Sequence, residues 1–171
     1  MRIGKLALGG VFKLECFSKK TGEKKWETET PNIVTNEGLD HVLNVYLHAA
    51  TQITTWYLAI FEDDYTPLAA NTYAVPGYTE STAYDEATRP EYVEAASTAR
   101  STTNSASKGT FTISDTKTIY GAALVSSSVK GDTEAASAVL FASGVFAAAK
   151  ACTDDDVLEL TYTISSADDG A

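Results

Sequence analysis

The chain predicts a mainly β fold: an antiparallel β-sandwich, jelly-roll or immunoglobulin-like, with an N-terminal β-hairpin and one packed α-helix. Three observations carry this expectation. Short runs of β-branched, aromatic and aliphatic residues recur along the sequence, separated by turn formers such as Lys130-Gly131-Asp132. The last run alternates: Leu158, Leu160, Tyr162 and Ile164 interleave with Glu159, Thr161 and Thr163, as in a strand with one buried face. Only one segment has helical periodicity, so there is no βαβ rhythm of a parallel sheet.

The hairpin comes first. Gly10 to Phe17 is rich in β formers, Lys20-Thr21-Gly22-Glu23 forms a turn, and Lys24 to Thr30 returns. On the returning strand Trp26, Thr28 and Thr30 share one face, with Lys25, Glu27 and Glu29 on the other. Pro31 ends the pairing, which makes residues 1–31 a hairpin arm. Asn36 then serves as an N-cap, and Leu39, Val42, Leu43, Tyr46 and Leu47 follow at i, i+3, i+4, i+7 and i+8, so this stripe should pack on a sheet. Glu37 and Asp40 in the first turn complement the backbone dipole, and His41, Asn44 and His48 form the polar face.

Thr54 to Phe61 is a nearly continuous apolar and aromatic run, read as the central strand. Residues 62–103 then form a polar excursion holding Pro67, Pro76 and Pro90, with a short strand expected at Glu91-Tyr92-Val93-Glu94. Loops of that length inside a domain are usually functional. Strands resume at Gly109 to Ile113, Thr118 to Val125, Ala138 to Phe146 and Val157 to Ile164, and the tail Ala167 to Ala171 is expected to fray. With 171 residues in all, the chain is long enough for one core, and residues 1–171 are read as a single domain.

Composition narrows function. A formal charge of -10 and a pI near 4.5 argue against a nucleic-acid partner, because phosphate binding needs clustered Lys and Arg. No apolar run is long enough to cross a bilayer, and the start, Met1 to Val11, lacks the features of a signal peptide. Charge is uneven: Arg2, Lys5, Lys13, Lys19, Lys20, Lys24 and Lys25 crowd the N-terminal end, while acids dominate Glu62 to Glu94 and Asp154 to Asp169. Such polarity can steer the chain onto an acidic partner or onto its own neighbour. Cys16 and Cys152 lack metal or redox spacing and read as buried thiols, with a bridge open if the first and last strands are neighbours.

Chemistry-bearing motifs are sparse. His41 and His48 lie two turns apart on the helix, about 10 Å along its axis, too far to chelate one ion directly. Glu62-Asp63-Asp64 and Asp154-Asp155-Asp156 do not follow EF-hand spacing and read as solvated turns, and Asp85-Glu86 beside Arg89 reads as a surface ion pair. There is no Gly-x-Ser-x-Gly sequence, phosphate loop or zinc spacing, and nothing points to a glycosidase carboxylate pair. The expectation is therefore no enzyme, no cofactor and no metal. Tyr65, Tyr73, Tyr78, Tyr84 and Tyr92 along the excursion are another kind of signal, since tyrosine is enriched at interfaces. An assembly interface is expected among Lys19, Lys20, Lys24, Lys25, Trp26, Tyr65, Tyr73, Tyr78 and Tyr84.

These residues also form a familiar pattern. Trp26-Glu27, Pro31 to Leu39, Trp56 to Ile60, Ala83 to Pro90, Asn104 to Ile113 and Tyr120 to Ser128 together resemble small virion structural proteins of tailed bacteriophages. The likeness spans most of the chain and carries no site residues. It implies a β-sandwich assembly module made in the host cytoplasm and built into the virion, first of all as a capsid decoration or cement protein. Its partners would be the major capsid protein or other virion proteins, and it would be a homo-oligomer or lattice-bound. The alternative is a tail-associated adhesin, fibre or connector component binding a host-surface receptor.

Overall fold

The computed structural model describes residues 6–168 and shows two antiparallel sheets packed face to face with one helix. The first sheet holds β1 (Leu6–Ser18), β2 (Lys24–Pro31), β9 (Asp156–Asp168) and β5 (Ser101–Thr103) in the order β2-β1-β9-β5, and β6 (Gly109–Thr112) also pairs with β9. The second holds β3 (Ile33–Val34), β8 (Leu140–Cys152), β7 (Lys117–Val125) and β4 (Tyr57–Phe61), in the order β3-β8-β7-β4. The helix α1 spans Asn36–Leu47, between β3 and β4 in the chain.

The hairpin is not an arm. β1 pairs with β2 on one side and along its whole length with β9 on the other, so it is an interior strand of its sheet. Phe12, Leu14 and Cys16 explain why: they are fully buried, and alternation places them all on the inner face. They meet Phe111, Leu158, Leu160 and Tyr162 from their own sheet and Leu58, Ile60, Ile119, Ala122, Leu124 and Ala142 from the other. Phe12 stacks on Tyr162 with ring centroids 4.2 Å apart. Ala167 and Asp168 are not frayed, since they continue β9 opposite Ala7 and Leu6, while Asp169 to Ala171 and Met1 to Lys5 lie outside the described residues.

β4 is an edge strand rather than a central one, yet Leu58, Ala59, Ile60 and Phe61 are all buried. The excursion supplies the reason. Leu58 N donates to Pro90 O at 2.8 Å, Ser81 N to Ile60 O at 2.8 Å and Glu62 N to Thr79 O at 3.0 Å, so irregular backbone closes the edge. Leu58 and Ile60 point into the inter-sheet core, while Ala59 joins Tyr73, Ala123, Val125 and Leu140 in a second cluster. A strand buried on both faces reads as a continuous apolar run, which is what made it look central. The short strand expected at Glu91 to Glu94 is only a bridge from Glu91 to Tyr57.

A candidate assembly surface on the helix

α1 begins one residue earlier than expected, capped by Thr35 rather than Asn36. The Thr35 Oγ1 accepts from Gly38 N at 2.9 Å and donates to Leu140 O. Thr35 N donates to Phe141 O at 3.0 Å and Asn36 N to Ala69 O at 2.8 Å. Glu37 adds a second clamp, its carboxylate accepting from Leu140 N at 2.6 Å and Tyr73 N at 2.9 Å. Five hydrogen bonds from three successive residues therefore hold the first turn against β8 and the loop beside it.

These bonds fix how the helix is rotated. Gly38 is its one fully buried residue, and a Cβ there would lie 2.6 Å from Phe141 O and 3.0 Å from Phe141 Cα. The backbone of α1 thus lies directly on the backbone of β8. At 100° per residue, Gly38, His41, Val42 and Val45 share the inward side. Val42 packs on the core, and His41 meets Trp56 edge-on at 5.7 Å, so His41 is not on the polar face.

The expected burial of the leucine stripe is overturned. Only Val42 of that stripe packs inward; Leu39, Leu43, Tyr46 and Leu47 are 38%, 56%, 81% and 82% exposed. Polar anchors and a glycine contact, not apolar content, chose the buried face. Four large apolar side chains on one helix face are an unusual thing to leave in water, and together they form an exposed apolar surface.

The residues expected to form an interface are dispersed. Tyr73 and Tyr84 are buried, so they do not contribute an outer surface. Tyr78 stacks on Phe61 at 4.5 Å, Tyr84 meets Phe111 edge-on at 5.0 Å, and Tyr65 exchanges hydrogen bonds with Asn71. The amphipathic character that suggested an interface serves here to pack an irregular segment. Trp26 is half-buried against the core, its Nε1 donating to Ala151 O at 2.9 Å.

The lysines are largely neutralised within the chain. Lys19 pairs with Asp155 at 3.0 Å, Lys25 with Asp156 at 2.6 Å, and Lys24 with Glu15 and Glu27 at 2.6 and 2.8 Å; Lys20 is exposed. Hydrogen bonds from Lys108 and Lys24 lower Glu15 to about 2, against the opposing effect of burial. Burial by itself would raise Asp156, but the bonds from Lys25 and Thr153 outweigh it and hold it below its ordinary value. The hairpin therefore presents paired charge rather than a cationic patch.

Arg89 is not in a surface pair with Asp85 or Glu86. It is buried, with Nε and Nη2 donating to Glu80 at 2.8 and 2.5 Å, Nη1 to Tyr73 Oη and Ser127 O, and Nη2 also to Asp132 O. Those bonds use all five guanidinium donors, so the residue is a strut between the excursion and the β7–β8 loop, with no donor left for a ligand. Cys16 and Cys152 are buried free thiols on different sheets, and burial pushes Cys16 up to about 12. Among the described residues no group of three or more His, Cys, Asp or Glu side chains is placed to hold a metal ion.

Beside the helix lies a pocket of about 310 Å³ at the mouth of the sandwich, between α1, the Gln52–Trp56 loop and the ends of both sheets. Leu124 and Phe141 form part of its lining, and Tyr46 belongs to both the pocket and the exposed stripe. Sequence reading missed it because its walls come from seven separate parts of the chain. No protein-family model matches the chain, and a search of curated proteins finds no match.

Proposed function

We propose that the chain is a structural component of a tailed-bacteriophage virion, a capsid decoration or cement protein that stabilises the head through protein–protein contacts and performs no catalysis. The observation that carries the docking part of this reading is the stripe of Leu39, Leu43, Tyr46 and Leu47, held outward by anchors on the opposite side of the helix. The virion part rests on the likeness of the sequence to small phage structural proteins. Docking through the stripe buries apolar surface on a rigid platform, so little conformational entropy is lost on binding. Binding to the assembled state alone then stabilises that state by mass action.

Quantitative protein analysis of purified particles tests the reading. A decoration protein is present in a fixed, high ratio to the major capsid protein and is spread over the shell. Absence from particles overturns the proposal. The second reading, a tail adhesin, fibre or connector component, draws on the exposed Val75 and Val129, which sit on two loops tied together by the Tyr73–Asp132 hydrogen bond. A few copies at the tail would select it.

A further inference from the structure

We infer that residues 6–9, the stretch of β1 that runs beyond β2, are a docking edge for a second copy of this chain. The two edges pair antiparallel about a two-fold axis at Ala7, so that one sheet continues through both copies. This goes beyond the assembly reading, since it uses neither the helix stripe nor a virion partner.

The register leaves this edge open. β9 pairs with β1 from Leu6 to Ser18 without a shift, whereas β2 reaches only as far as Val11. Asn32 N then donates to Gly10 O at 3.0 Å, and the chain crosses to the other sheet as β3. That bond shows Gly10 turning its backbone toward the β2 side, and alternation turns Leu8 and Leu6 the same way. Among the described residues no strand stands opposite their N–H and C=O groups there. The other edges of this sheet are guarded. β2 carries Lys24, Lys25, Glu27 and Glu29 and ends in Pro31, Ala95 N donates to Thr103 O of β5 at 3.0 Å, and Asp85 N donates to Thr112 O of β6 at 2.8 Å. Residues 6–9, Leu-Ala-Leu-Gly, have no charge, proline or bulge, the devices that keep strand edges apart.

The edge matches itself. Leu6 and Leu8 lie on the same face of β1 as Phe12 and Leu14, so the apolar row of the core runs on past the cover of the second sheet, and Leu6 is 70% exposed. A two-fold axis at Ala7 sets Leu6 opposite Leu8 of the second copy, a position at which each pair exchanges both backbone bonds. Ala7 then faces Ala7 at the closer, non-hydrogen-bonded spacing, which a small side chain suits. Leu6 of one copy is covered by Leu8 of the other. Charge supports the match: two copies at a formal charge of -10 repel, and they approach best along a stretch that carries none. On the outer face Ala7, Gly9, Ser165 and Ala167 are small, and a Cβ at Gly9 would meet nothing within 4 Å, so no side chain there holds a neighbouring strand away.

Amide hydrogen exchange read by NMR, beside sedimentation of the full chain over a dilution series, tests this. The chain should be dimeric at high concentration, and the Leu8 amide should gain protection as the dimer forms. Ala7 and Gly9, which face β9, should be protected alike at every concentration. Leu8→Pro removes only an outward N–H, which an edge strand tolerates, so the ladder to β9 stays. The dimer should then weaken roughly thirtyfold, the worth of about two hydrogen bonds. The wild-type protection pattern decides the matter even where Leu8→Pro does not fold. Leu43→Asn with Leu47→Asn should dimerise like wild type, which separates this edge from the helix stripe. A chain that is monomeric throughout would overturn the inference, as would a dimer in which the Leu8 amide exchanges freely or one that Leu8→Pro leaves undiminished.

Discussion

Replacing Gly38 with alanine separates two opposite expectations. On helix propensity alone, Gly38→Ala in the first turn of α1 stabilises the chain by up to about 1 kcal/mol. The packing requires the reverse. The new Cβ would sit 2.6 Å from Phe141 O and 3.0 Å from Phe141 Cα, and both are backbone atoms that cannot rotate away. Nor can the helix retreat freely, because Glu37 and Thr35 bind Leu140 and Phe141 from the adjacent positions. Overpacking of this kind costs about 1–3 kcal/mol, so the net loss should be roughly 1.5 kcal/mol after the propensity gain. For a domain of this size that lowers Tm by roughly 3–6 °C. Urea unfolding followed by circular dichroism reads it as a lower midpoint at unchanged slope. Asn44→Ala, on the exposed side of the same helix, calibrates the propensity term and should be neutral or slightly stabilising. A Gly38→Ala chain more stable than wild type would refute the rotation assigned to α1.

Other consequences follow from the buried charges and the stripe. Arg89→Ala should cost about 3–5 kcal/mol in urea unfolding, because it leaves the Glu80 carboxylate buried and unpaired. Glu15, lowered from 4.5 to about 2 in the folded chain, contributes stability that is complete above pH 4.5 and is lost as pH falls toward 2. The ceiling is about 3.4 kcal/mol at 1.36 kcal/mol per pH unit, and solvent around the lysines reduces the expected effect to about 2 kcal/mol. Wild type and Glu15→Gln should therefore differ by that amount in unfolding free energy at pH 7 and converge near pH 2. Cys16, pushed up to about 12 by burial, should resist an aromatic disulfide reagent in the native chain and react only once the chain is unfolded. Leu43→Asn and Leu47→Asn together should change the unfolding midpoint little, since both side chains are already in water.

The sandwich was legible because strand alternation is a local signal: Leu158, Leu160 and Tyr162 announced their common face in the sequence, and all three are buried on it. The helix was legible as an element but not in its rotation. Its stripe of Leu39, Leu43, Tyr46 and Leu47 has the right period to face a core, and period cannot tell a core from a partner. What decided the matter was Gly38 against Phe141, over a hundred residues away, and the Glu37 and Thr35 bonds to the same strand. β4 misled for a related reason: its burial comes from irregular backbone at Thr79 to Pro90, which has no periodicity to read. The tyrosines of the excursion gave a true signal of amphipathic contact, but the contacts of Tyr73, Tyr78 and Tyr84 are within the chain. The paired lysines show the same limit, because Asp155 and Asp156 reach Lys19 and Lys25 only through the fold.

The most direct test of the assembly account is the amount of this chain on purified phage particles, compared between wild type and the Leu43→Asn, Leu47→Asn double variant. The variant is first shown to be folded, and both are quantified against the major capsid protein. The account requires wild-type chain on the shell in a fixed ratio and the variant depleted from it. A variant that loads as well as wild type, or a wild-type chain absent from particles, would contradict it.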